Sequence, residues 1–473
     1  MGILEDIVAD RRERIASKGH AQGLAIPERR LHPLIPFCAA DGLIMEMKRA
    51  SPSKGDIASF DPAAKARDYR DLGARNVSVL TEEGRFRGSL SDLMAAKEAC
   101  PELAFLRKDF LLDPEDVDLS YRAGADAILL IAAILHVDLL RNLHGRARDL
   151  GMAVLVEVHD IHDIAKAREI GAPLLGINAR DLSSFRIDPL LPLALKPLID
   201  WEAKVIYESG IRHPAEASLP AMAGFQGILV GEAVSRSAES GKAISEAFRK
   251  APRRRFWSSV ATARQPLAKV CGLACREDVA AAEEAGADIL GFVLAPSPRQ
   301  VKPEFIRSLG KAGRALRVGV VTDAPDALDP QVRALVEEGF LDAIQFHDDS
   351  APEEFRKAIA DSGFAALGIP FYKALRQRGE TIPLASDYAC PRILVDAFSA
   401  EASGGTGKRL DESILEALGP GAWIAGGLKP GIALDIAQRF KPGLMDASSG
   451  LESSPGRKDH ALLASFITEV KGE

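Results

Sequence analysis

Two lysines, three glutamates and an asparagine stand near the ends of short apolar runs in the first half of this 473-residue chain. Glu46 and Lys48 close "LIMEMKR", Lys108 and Asp109 close "AFLRKDF", Glu157 closes "AVLVEVH", Asn178 lies in "LLGINARD", and Glu208 with Ser209 in "KVIYESG". One strand-end carboxylate is ordinarily a satisfied ion pair. A set converging on one rim is different, because buried charges are costly unless they pair or act on a ligand. Ammonium and carboxylate groups gathered there could pass protons to and from a substrate. Gly210 in "ESGI" and Gly231, followed by Glu232, in "LVGEAVSR" would let backbone N–H groups approach an anion. With Ser53 and Lys54 from "EMKRASPSKG" they suit a phosphorylated small molecule. In the second half the strand-end residues differ: Cys271 in "KVCGL", Arg299 in "APSPRQV", His347 in "QFHDD" and Asp396 in "LVDAFS". Taken alone, Cys271 reads as a small buried hydrophobe and His347 as a satisfied histidine.

Positioning such groups requires strands that end together. Eight apolar runs alternate with amphipathic stretches in the first half, the three not yet quoted being "NVSVLTE", "AILLIAA" and "GILVGEA". The intervening patterns, such as "DPAAKARDYRDLGA" and "IHDIAKAREIGA", are helical and close on Gly-Ala. After "RKAPRRRFWSSVATARQP", which reads as a solvated linker, eight more runs follow: "LAKVCGL", "ILGFVLAP", "RVGVVTD", "AIQFHDD", "FAALGIP", "RILVDAF", "WIAGGLK" and "LMDASSG". Two rounds of eight βα units predict an α/β chain of two tandem (β/α)8 TIM barrels, residues 1–255 and 256–473. Active sites of such barrels lie at the strand C-termini. Doubly wound open sheets are the rival, but no GxGxxG turn follows a first strand.

Composition narrows the partners. Hydrophobic content of 47%, charged content of 27% and a net charge of −7 are ordinary for a globular chain and imply neither nucleic acid nor a membrane surface. The longest apolar run, Ala127 to Leu135, is about half of a bilayer span. Five scattered cysteines, and an opening "MGILEDIVADRRER" that turns charged at once, are expected of a reducing cytoplasm. Cys275 follows Cys271 by four residues, but no second pair with ligand spacing exists, so no metal is expected.

In order, "EMKRASPSKGDI", "SVLTEEGRFRGS", "LRKDFLLDPEDV", "LLIAAIL", "LVEVHD", "GINARDL", "YESGI" and "LVGEAVSR" closely resemble indole-3-glycerol phosphate synthase over about residues 1–250. The resemblance implies ring closure, decarboxylation and dehydration of 1-(2-carboxyphenylamino)-1-deoxyribulose 5-phosphate, without a cofactor. It implies Lys108 as the acid of ring closure and Lys48 as carboxylate ligand and later acid. Glu46 and Glu157 become bases or stabilisers of developing positive charge, and Asn178, Glu208 and Ser209 bind and orient.

Similarly, "KVCG", "FVLAPSPRQV", "RVGVV", "QFH", "ILVDAF", "GGTG", "AGGL" and "DASSGLE" resemble phosphoribosylanthranilate isomerase over about residues 265–473. One departure is "QFHDD", where the family usually reads "QLHG" and an acid, which puts the local loop shape in question. The resemblance implies an Amadori rearrangement of N-(5-phosphoribosyl)anthranilate to the ketose that the first half consumes, with Asp396 as acid and Cys271 as base. Cys271 would then need its thiolate favoured near neutral pH, and Asp396 would need to keep its proton. The resemblance further implies Arg299 on the anthranilate carboxylate, His347 in the substrate site, and Gly405, Gly427, Ser448, Ser449 and Gly450 around the phosphate. Alternatives are another phosphate-handling barrel pair or a non-catalytic phosphate-ligand binder. The retained acids and bases oppose the latter. A monomer that releases its intermediate to solvent is the expectation.

Overall fold

The computed structural model describes residues 3–39, 42–52, 55–181, 184, 186–377, 382–397 and 411–472. It divides into two compact units, Met1–Ala251 and Pro252–Glu473. Each contains a closed barrel of eight parallel strands. Among the described residues, no helix is long and apolar enough to cross a membrane.

In the first unit the strands are β1 (Gly42–Met47), β2 (Asn76–Leu80), β3 (Ala104–Lys108), β4 (Ala127–Ile131), β5 (Ala153–Val158), β6 (Leu174–Asn178), β7 (Lys204–Glu208) and β8 (Gly227–Val230). They are almost wholly buried, which is why they read as continuous apolar runs and not as alternating ones. Asp61, Asp113 and Asp160 cap the helices that follow β1, β3 and β5, each accepting from a first-turn N–H at 2.7 to 2.9 Å. Register sets Glu46 beside Ser78 and Asn178 beside Glu208, so these polar residues share one level at the strand C-termini. Below them, Ile44, Leu106, Leu129, Leu155, Ile206 and Leu229 belong to one buried apolar cluster. The N-terminal helix, Ile3–Lys18, adds Ile7 to it and is tied down by Arg11–Asp116 at 3.0 Å and Arg14–Glu82 at 2.6 Å.

In the second unit the strands are β9 (Leu267–Cys271), β10 (Ile289–Val293), β11 (Leu316–Val321), β12 (Ala343–Phe346), β13 (Phe371–Gln377), β14 (Ile393–Ala397), β15 (Trp423–Ala425) and β16 (Leu444–Ala447). Seven lie where the sequence places them. The fifth does not: "FAALGIP" forms a short helix, Phe364–Leu367, between left-handed Gly363 and Gly368, and the strand starts at Phe371. A short apolar run fits either element, and the true strand is disguised by charge. Its Lys373 is fully buried because it pairs with Asp348.

"RKAPRRRFWSSVATARQP" is likewise no solvated linker. Phe256–Thr262 is a helix whose Phe256, Trp257 and Val260 are buried. Trp257 stacks on Trp423 at 5.8 Å and Phe256 on Tyr372 at 6.1 Å between ring centroids. Arg255 pairs with Asp342 at 2.7 Å, and Arg254 donates to the Val336 carbonyl at 3.2 Å. The arginines that suggested solvent instead fasten one apolar helix face to the second barrel.

Candidate active sites

Five ionic side chains meet at the mouth of the first barrel. Lys108 Nζ lies 2.7 Å from Glu208 Oε2, 3.6 Å from Glu157 Oε2 and 3.7 Å from Glu46 Oε2. Lys48 Nζ closes on the other Glu46 oxygen at 2.5 Å. Asn178 accepts the Arg180 N–H at 3.0 Å and also bonds Glu157. Asp109, one residue beyond Lys108, points elsewhere, to Arg107 at 2.9 Å and the Thr81 hydroxyl at 2.7 Å. Successive strand residues face opposite ways, so the "RKD" triplet splits into a site residue and its buried support.

Charge distribution follows from burial and proximity. Burial alone would lower Lys108, but Glu208, Glu46 and Glu157 outweigh it and hold the ammonium well above its usual range. Burial would raise Glu46 and Glu157. Lys48 and Lys108 instead hold Glu46 low, and Lys108 with His159 holds Glu157 low. Glu208 moves the other way, pushed up by burial and by the like charge of Glu157 despite its contact with Lys108. The mouth thus holds a proton donor, Lys108, between two ionised carboxylates, Glu46 and Glu157, and a third, Glu208, that inclines to keep its proton.

The strands' ends supply the backbone. Ser209 and Gly210 are successive left-handed residues, φ 70° and 81°, and the non-glycine Ser209 marks local strain of the kind found at functional sites. Gly231 precedes the helix Glu232–Arg236, and a Cβ there would stand 2.4 Å from Glu46 Oε1, so only glycine lets the loop close on that carboxylate. Glu232 pairs with Arg236 at 3.1 Å. Ser53 and Lys54 lie outside the described residues.

In the second barrel Cys271, Asp396, Arg299, His347 and Gly427 line one concavity, together with Ser448, Ser449 and Gly450. Gly405 lies outside the described residues. His347 Nε2 is 3.8 Å from Asp396 Oδ2. Burial, then Arg376, Lys269 and Lys373, push His347 down to about 4, so it is a neutral imidazole at pH 7. Burial and nearby Asp446 push Asp396 up to about 6, in the direction an acid needs. Cys271 departs from the expected setting: burial raises the thiol, and Lys269 offsets this only in part. Lys269 is already engaged by Asp446 at 2.5 Å and Gln345 at 2.7 Å. Arg299 meets Glu452 through two parallel bonds of 2.7 and 2.8 Å. In "QFHDD", Asp348 gives the loop its shape by clasping buried Lys373 with carboxylate and carbonyl.

The indole-3-glycerol phosphate synthase family model matches residues 4–247. The chain belongs to the indole-3-glycerol phosphate synthase family. Its second barrel matches the N-(5'phosphoribosyl)anthranilate (PRA) isomerase model over residues 268–469. An indole-3-glycerol phosphate synthase of Acidithiobacillus ferrooxidans is 42% identical over 259 residues, covering 52% of this chain and 98% of that one. The multifunctional tryptophan biosynthesis protein of Phycomyces blakesleeanus is 32% identical over 497 residues, covering 92% of this chain. Its counterpart in Schizosaccharomyces pombe is 29% identical over 521 residues, covering 99%. The chain spans 63% and 66% of those two proteins' lengths. Among solved structures, phosphoribosyl anthranilate isomerase from Thermotoga maritima is 30% identical, covering 44% of this chain and 99% of that one, with a TM-score of 0.35.

Sequence reasoning missed several groups around the synthase and isomerase-family sites. His159 lies 3.1 Å from Glu157, although "LVEVHD" was in view. Arg180, in "NARD", is half-buried near Glu46 and Glu232, and burial lowers its guanidinium from the usual range. Lys269 could have been found, since it precedes Cys271 by two in a strand and shares its face. Glu452 could not, because its partner Arg299 is 153 residues away.

Proposed function

We propose that the chain carries two consecutive steps of tryptophan synthesis. Its C-terminal barrel isomerises N-(5-phosphoribosyl)anthranilate to 1-(2-carboxyphenylamino)-1-deoxyribulose 5-phosphate. The N-terminal barrel converts this ketose to indole-3-glycerol phosphate, losing carbon dioxide and water. The observation that carries the reading is Lys108, an ammonium held among Glu208, Glu157 and Glu46 at the mouth of a synthase-family barrel.

Ring closure needs a proton on the carbonyl oxygen as the aromatic carbon attacks, and Lys108 is placed to give it. Lys48 binds the carboxylate that leaves as carbon dioxide and then serves as acid in dehydration. Glu46 and Glu157 stabilise developing positive charge or take the departing proton, while Asn178, Glu208 and Ser209 orient the ligand. Gly210 and Gly231 offer N–H groups to its phosphate, with Ser53 and Lys54. In the isomerase barrel, Asp396 protonates the furanose ring oxygen and Cys271 removes the proton from the neighbouring carbon, giving an enolamine. Arg299 takes the anthranilate carboxylate, His347 contacts the sugar as a neutral imidazole, and Gly405, Gly427, Ser448, Ser449 and Gly450 hold the phosphate. None of these steps calls for a cofactor. A monomer in a reducing cytoplasm fits this reading, and none of the five cysteines is in a disulfide.

Adding N-(5-phosphoribosyl)anthranilate to the purified chain tests it. Anthranilate-type fluorescence should decay and indole absorbance then rise, and an unchanged substrate would refute the reading.

A further inference from the structure

One buried titratable side chain beside the synthase site has no part in the scheme above. His159 directly follows β5, its side chain only 11% exposed. Its Nε2 stands 3.1 Å from Glu157 Oε1, and its Nδ1 is 3.4 Å from Asp163 Oδ2. The same Asp163 oxygen accepts the His159 backbone N–H at 3.1 Å, which fixes ring and carboxylate together. Glu157's second oxygen faces Lys108 at 3.6 Å. Glu157 therefore has a basic nitrogen near each oxygen, the Lys108 ammonium on one and the His159 ring on the other, although Nε2 makes no aligned hydrogen bond there. Among the described residues Glu208 meets only one cation, Lys108 at 2.7 Å, and its Oε1 has no hydrogen-bond partner.

Resting on the synthase reading of this barrel, we propose that His159, held by Asp163, is a positioning residue whose imidazolium keeps Glu157 ionised and leaves the proton of the Glu157/Glu208 pair on Glu208. Two carboxylates that share a site titrate as a pair, and a neighbouring cation decides which member keeps the proton. The surroundings agree. The charged groups facing His159 are Glu157 on the strand before it and Asp163 on the helix Ile161–Glu169, where Lys166 lies 3.8 Å from Asp163. Across the mouth, Lys108 faces Glu157, Glu46 and Glu208. Burial opposes the charged ring, but Asp163 and Glu157 outweigh it and push His159 up to about 9. Burial and Glu157 push Glu208 up to about 7. Glu157 then enters the reaction ionised, suited to stabilising developing positive charge, and its placement depends on His159.

The test uses the full-length chain, wild type and as His159→Gln and Asp163→Asn, with two measurements. The first is the pH dependence of synthase kcat on the ketose phosphate. Removing a cation beside Glu157 raises that carboxylate, so the acidic limb should move up by about one pH unit in both variants. Glu157 starts well below the usual carboxylate range, so the loss falls on the acidic side and kcat at pH 7 and above stays close to wild type. Wild-type-like synthase kcat on the alkaline side of the limb reports that the first barrel of each variant is folded. The second measurement is the NMR titration of the His159 ring, expected near 9 in the wild type and well lower in Asp163→Asn. Equal losses at every pH, with no movement of the limb, would mean a merely structural role and overturn the proposal. So would a wild-type ring titrating near the ordinary 6.5. A wild-type chain without synthase turnover would overturn the reading beneath it, while the ring titration still decides the charge on His159.

Discussion

Lys108 Nζ lies 2.7 Å from Glu208 Oε2, the shortest of its three carboxylate contacts. Glu208 is also the carboxyl that burial and Glu157 push upward, so the nearest partner of the Lys108 ammonium is the least willing to be an anion. That arrangement orients the ammonium without drawing its proton away.

Glu208→Ala removes the side chain that aims the Lys108 ammonium, whereas Gln would mimic a protonated Glu208. Synthase kcat should fall about 100-fold or more, in the range of a positioned acid or base, while isomerase turnover by the same chain stays unchanged. Steady-state assays of the two half-reactions check it.

The fold was legible because both barrels are built of buried strands whose apolar runs end in polar residues. Glu46, Lys108, Glu157, Asn178 and Glu208 could be found because a charged or amide side chain late in an apolar run is conspicuous. What stayed hidden has physical causes. In β13, buried Lys373 mimics a surface residue because its partner Asp348 comes from another strand's loop. The helix Phe256–Thr262 was masked by arginines that reach carbonyls and Asp342 of the second barrel. Glu452 and His159 act through neighbours, and periodicity carries no signal for a partner's partner.

Arg299 is held by Glu452 through Nε and one terminal nitrogen, and Glu452 is itself steadied by Lys458 at 3.1 Å. Replacing Glu452 by Gln loosens the guanidinium fork proposed to receive the substrate carboxylate. Isomerase KM should rise roughly tenfold with kcat nearly unchanged, since charge-assisted hydrogen bonds contribute about 1.5–3 kcal/mol and the loss falls on binding. Initial rates over a range of N-(5-phosphoribosyl)anthranilate concentrations separate the two constants.

Under the proposed assignment, the working isomerase carries a proton on Asp396 and none on Cys271. Asp396 sits at about 6, and burial places the thiol above its ordinary value. The order is inverted, so the working form is a constant minor fraction between the two values. Below about 6, Asp396 is already protonated and each pH unit removes tenfold more thiolate. Above the thiol's value the thiolate is complete and Asp396 loses its proton tenfold per unit. The profile of kcat/KM, which reports the free enzyme, should be a plateau that falls on both sides. A rate that declines steadily from pH 6 upward would contradict this protonation order.

Trp257 fixes the entry helix to the second barrel by stacking on Trp423. Trp257→Ala should destabilise the C-terminal unit by about 3–5 kcal/mol, as for a buried aromatic. A solvated linker would tolerate it within about 0.5 kcal/mol. Denaturant unfolding followed by isomerase activity distinguishes the two.

Two sites working in sequence on one chain are tested most directly by mixing separately purified Lys108→Ala and Cys271→Ala proteins with N-(5-phosphoribosyl)anthranilate. Alone, Lys108→Ala should consume it and accumulate the ketose phosphate, and Cys271→Ala should leave it untouched. Together they should form indole-3-glycerol phosphate through released ketose. Indole product from Lys108→Ala alone, or a mixture that accumulates ketose without converting it, would contradict the assignment of the two reactions to these two barrels.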